Sequence, residues 1–77
     1  MIYSDGIHLI HMGGIDALHM FAASIGIKRC WFHSSAKYPH YDIPKRRRKN
    51  FFKENPEVIQ VSSRVIVIKL KRYKKII

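Results

Sequence analysis

Hydrophobic and polar positions change period several times along this 77-residue chain, and each change marks an element. Met1-Ile2-Tyr3 is short and β-prone, and Asp5-Gly6 ends it as a turn. Residues 7–12 mix Ile, His, Leu and Met as loop or strand, and Gly13-Gly14 then break the chain. Ile15, Leu18, Ala22 and Ile25 fall along one face of a helix, and Phe21 widens that face. Asp16 sits in the first turn, where its charge suits the helix dipole, and Gly26 reads as a left-handed C-terminal cap. Ile27 to Phe32 predicts a second strand. Strand, helix and strand with short links suggest a right-handed βαβ unit with a parallel pair.

Residues 33–42 read as a loop. Asp42 is expected to cap a second helix that starts near Ile43, with Pro44 in its first turn, and ends near Lys53. Ile43, Phe51 and Phe52 anchor that helix, and Asn55-Pro56 stops it. Val58 to Val61 and Arg64 to Leu70 read as strands around a Ser62-Ser63 turn. In the second of these, Val65 and Val67 alternate with Ile66 and Ile68, as in a strand buried on both faces. The expected fold is α/β: a small three- to four-stranded, mostly parallel sheet with two helices, in βαβαβ(β) order. One domain over residues 1–77, with a basic tail from about residue 69, accounts for the whole pattern.

Composition adds limits. A chain this short buries only about 60% of its unfolded surface, so a homo-oligomer would help its core. The hydrophobic fraction of 47% is that of a folded chain rather than a disordered one. A lone cysteine, Cys30, excludes an internal disulfide and is expected to be a small buried hydrophobe in a strand. No apolar run reaches the roughly 18 residues of a membrane span, and no signal peptide is visible, so a cytoplasmic setting is expected. The charge of +10 lies entirely in residues 37–77, because residues 1–36 are electroneutral. That asymmetry favours nucleic acid, another polyanion or an acidic protein as partner.

The basic run Lys45-Arg46-Arg47-Arg48-Lys49, followed by Lys53, carries most of this signal. A phosphate backbone would neutralise its self-repulsion and release counterions. The tail supplies Lys69, Lys71 and Arg72, with Tyr73 interleaved to stack on a base. The five histidines do not fall at zinc-ligand spacing, so spacing alone specifies no metal set and no cofactor. His40-Tyr41-Asp42 gathers three polar functions where ligands bind in α/β folds. If Asp5 shares that edge, then Asp5, His40 and Asp42 form an acid–base or divalent-metal site.

These residues also form an ordered series. Tyr3 and Asp5 come first, then His8-Leu9, Leu18-His19 with Phe21-Ala22, Gly26 and Trp31-Phe32. His40-Tyr41-Asp42 closes it with Arg47 or Arg48. Over roughly residues 1–50 the series resembles a small bacterial and phage family, domain of unknown function number 4031. The chain departs from it at Gly6 and at Gly13-Gly14, where members often carry acidic residues. The resemblance implies that Asp5, His19, His40, Tyr41 and Asp42 share one pocket, and it supplies no activity. His19, Arg29, His40, Tyr41 and Arg47 are the candidate ligand-binding residues. Three functions follow as expectations: a module binding nucleic acid or a phosphate-containing ligand, a small hydrolase, or a phage-type adaptor docking on an acidic host protein.

Overall fold

The chain is described by a computed structural model over residues 1–34 and 39–76, with side chains described through residue 71. β1 (Ile2–Ser4) and β2 (His8–His11) form an antiparallel hairpin with Tyr3 opposite Ile10 and Ser4 opposite Leu9. Asp5 makes the turn: its Oδ1 accepts the backbone N–H groups of Ile7 and His8 at 2.9 and 2.7 Å. Gly6 sits at φ 97°, a conformation open to glycine at little cost.

α1 (Ile15–Ser24) follows the helical period and buries Leu18 and Ala22. Its end is a Schellman motif. Gly26 N–H donates to Ala23 O at 3.1 Å, Ile27 N–H donates to Ala22 O at 2.9 Å, and Gly26 takes φ 79°. The expected strand from Ile27 to Phe32 is instead a 3₁₀ turn, Arg29–Trp31, leading into the short β3 (Phe32–His33). Cys30 lies in that turn and is exposed, contrary to the buried strand position expected for it.

β4 (His40–Asp42) occupies part of the expected loop; residues 35–38 of that loop lie outside the described residues. Asp42 is therefore a strand residue and caps no helix. The expected second helix reduces to a 3₁₀ turn at Lys45–Arg47 and one helical turn, α2 (Phe51–Glu54). β5 (Ile59–Gln60) follows, and α3 (Ser63–Ile76) closes the described chain.

The sheet runs β3-β4-β2-β1-β5. Among the described residues its only parallel pair is β1 with β5, and the other three pairings are antiparallel. A five-stranded mixed sheet with three α-helices thus replaces the expected mostly parallel, three- to four-stranded sheet with two helices. Two local facts drive the correction. β2 folds back on β1 before any helix intervenes, so no βαβ unit opens the chain. The segment read as a strand from Arg64 to Leu70 is helical, and it buries Ile66 and Leu70, one turn apart, while Val67 and Ile68 are exposed.

Strand alternation divides the core. Leu9 packs with Leu18, Ala22, Ile27, Tyr41, Ile43, Phe51 and Val58. Its neighbour Ile10 packs with Ile66 and Leu70, flanked by Tyr3, Met12 and Val61. α1 and α3 therefore cover opposite faces of the sheet, and β2 is buried on both.

Candidate functional site

Register places the histidines. His8 pairs with Asp42 and His33 pairs with His40. By the same alternation His8, His33, His40 and Asp42 point to the sheet face that α3 covers. Asp5 joins them from the hairpin turn. Its Oδ2 accepts the Nδ1–H of His8 at 2.8 Å and the hydroxyl of Ser63, the first residue of α3, at 2.6 Å. The Asp5 side chain is 3% exposed, whereas that of His8 is 38% exposed and Ser63 is exposed. Burial pushes its carboxyl upward, but the hydrogen bonds from Ser63, the His8 ring and the backbone of His8 and Ile7 outweigh burial. The net result lies well below the usual carboxylate range.

The His8 ring meets the His40 ring edge-on at 5.1 Å, and His40 stacks on His33 at 5.1 Å with 12° between planes. Asp42 collects two of the three imidazoles, with His33 Nε2 at 2.7 Å from Oδ2 and His40 Nε2 at 3.2 Å from Oδ1. Beside them lies a cavity of about 190 Å³ lined by His8, His40, Ser63, Ile66, Val67 and Leu70. Chemically, this is a hydrogen-bonded imidazole–carboxylate array next to an apolar wall.

Tyr41 points the other way. Its hydroxyl is 2.7 Å from His19 Nδ1, and Phe32 packs on both rings. Burial first, and then the Arg29 guanidinium, push His19 below its ordinary value; burial raises Tyr41. The five residues grouped from the sequence thus divide. Asp5, His40 and Asp42 lie on the α3 side, and His19 with Tyr41 on the α1 side. Asp5 reaches the His40 neighbourhood through His8, a member of the ordered series but not of the expected site.

The basic run has its own geometry. Lys45, Arg46 and Arg47 join Lys28, Gly26, Trp31 and Pro44 around a cleft of about 380 Å³. Arg47 also donates to Ile25 O at 2.6 Å, and Arg48 Nε donates to Ile43 O at 2.9 Å, so both stems are tied to backbone. Lys49 and Lys53 are exposed away from these ties. Arg29 lies 5.9 Å from the centre of the Phe32 ring. Lys69 lies 4.0 Å from the centre of the Tyr3 ring, and Lys71 is exposed. The side chains of Arg72 and Tyr73 lie outside the described residues.

Sequence reasoning missed His8, His33, Ser63, Lys28 and Trp31 as site residues. The signal available for His33 and His8 was strand parity with His40 and Asp42, which the loop reading of residues 33–42 concealed. Nothing local pointed to Lys28, Trp31 or Ser63, because each is brought in by a turn or helix start distant in sequence from its partners.

A family model described as "Protein of unknown function (DUF4031)" matches residues 4–73, reaching well past the ordered series that ends near residue 50. No curated protein and no solved structure matches the chain.

Proposed function

The chain belongs to the family of proteins of unknown function DUF4031, and on that footing we propose that it binds a phosphate-bearing ligand, nucleotide or nucleic acid, in its basic cleft. One observation carries this reading: Lys28, Lys45, Arg46 and Arg47 line the same cavity as Trp31. Four cations around one concave surface repel one another unless an anion neutralises them. Arg guanidinium groups hold phosphate oxygens bidentately, and an indole offers a flat face to a base. Because Arg47 is held by Ile25 O, part of the cation set is fixed before a ligand arrives.

Trp31 is the single tryptophan, so its fluorescence reports on the cleft alone. Titrations with inorganic phosphate, nucleotides, and single- and double-stranded DNA and RNA, with EDTA present, are expected to quench it. Binding should weaken as salt rises. A Lys45→Glu, Arg46→Glu double variant is expected to lose at least about tenfold in affinity, the scale of one or two charge-assisted hydrogen bonds. No binding at low salt ends this reading.

A further inference from the structure

We propose that His8, His40 and Asp42 bind a divalent transition-metal cation. One donor atom from each lies within 4.8 Å of the other two. A single ion at the 2.0–2.2 Å bond lengths usual for imidazole and carboxylate can sit between atoms so spaced. The residues come from adjacent strands in fixed register, His8 on β2 and His40 and Asp42 on β4, so the spacing is a property of the sheet.

The surrounding contacts are those of a ligand set held in orientation. Asp5 Oδ2 accepts a hydrogen bond from the Nδ1–H of His8 at 2.8 Å, which leaves Nε2 as the nitrogen with an unshared pair. His33 holds Oδ2 of Asp42 at 2.7 Å and leaves Oδ1 on the His40 side. A carboxylate behind one imidazole and a histidine behind the carboxylate fix both ligands before the ion arrives. The 3.2 Å contact between His40 Nε2 and Asp42 Oδ1 is of the kind an ion replaces, the shared proton leaving to solvent.

Two imidazoles and one carboxylate favour zinc, cobalt, nickel or ferrous iron over magnesium or calcium. Three protein ligands leave coordination positions open. His8 and His40 also line the cavity of about 190 Å³ walled by Ile66, Val67 and Leu70. The open positions therefore suit a small ligand that pairs an oxygen or nitrogen donor with an apolar body. This site shares no residue with the basic cleft and stands without it.

The test is a Co²⁺ titration of EDTA-stripped protein near neutral pH, followed by visible absorption and by displacement with Zn²⁺. One equivalent is expected to bind. His40→Gln and Asp42→Asn are each expected to lose at least about tenfold in affinity. Asp5→Asn, which keeps all three ligands, is expected to lose a similar factor. His11→Ala, whose ring belongs to the other sheet face, is expected to bind as the unaltered protein does. Ring NMR of the unaltered protein gives a readout free of folding effects: Zn²⁺ should move His8 and His40 and leave His11 and His19. Absence of stoichiometric binding overturns the proposal. So does binding that survives both ligand substitutions unchanged, or a Zn²⁺ shift confined to His11 or His19.

Discussion

At the scale of the residue, Asp5 does several things at once. It closes the hairpin turn through two backbone N–H groups, fixes the His8 tautomer and receives Ser63 from α3. Its carboxyl is depressed in the folded protein, so it adds stability that is fully present above its ordinary value of 3.8. That contribution is lost as pH falls below this value toward the folded one. The stability gap between the unaltered protein and Asp5→Asn should therefore narrow between about pH 5 and pH 3 in urea melts. A gap that stays constant over that range would count against the carboxylate role. Asp5 was legible in the sequence as a turn residue and as a site candidate. Its partner Ser63 was not, because 58 positions separate them and only the packing of α3 brings them together.

At the scale of the element, α1 was readable and α3 was not, and the difference is physical. α1 carries a 3.6-residue apolar period ending in Gly26, and the helix stops there by the Schellman bonds just described. Gly26→Ala forces a side chain into φ 79° and should cost about 1 kcal/mol in chemical denaturation, with little change in metal binding at the opposite sheet face. In α3 the run Val65-Ile66-Val67-Ile68 is β-branched throughout, so local propensity favours a strand. Tertiary packing overrides it by burying Ile66 and Leu70 against Ile10. Leu70, 5% exposed, is the position where that packing is most exposed to test. Leu70→Ala should destabilise the fold by about 2–4 kcal/mol, read as a shift in the urea midpoint. A shift below 0.5 kcal/mol, roughly the scale of a neutral surface change, would mean α3 contributes little to the core.

At the scale of the whole molecule, the radius of gyration is 11.4 Å, against about 11.5 Å for a compact chain of this length. The α/β class was legible from alternating periods. Strand order was not, because β3, β4 and β5 are two or three residues long, too short for a period of two to register. Charge asymmetry was visible directly, yet the cleft draws Lys28 from the electroneutral part of the chain. The topology also sets an order of events during synthesis. β1 lies between β2, its nearest neighbour in the chain, and β5, more than fifty residues later. A nascent chain can close the hairpin early, but Ile10 and Tyr3 stay uncovered until residues 66 and 70 have left the ribosome. The ligand face around His8 is thus the last region to be sealed, and a chain released before α3 would present an apolar sheet surface to chaperones and proteases instead of a finished site.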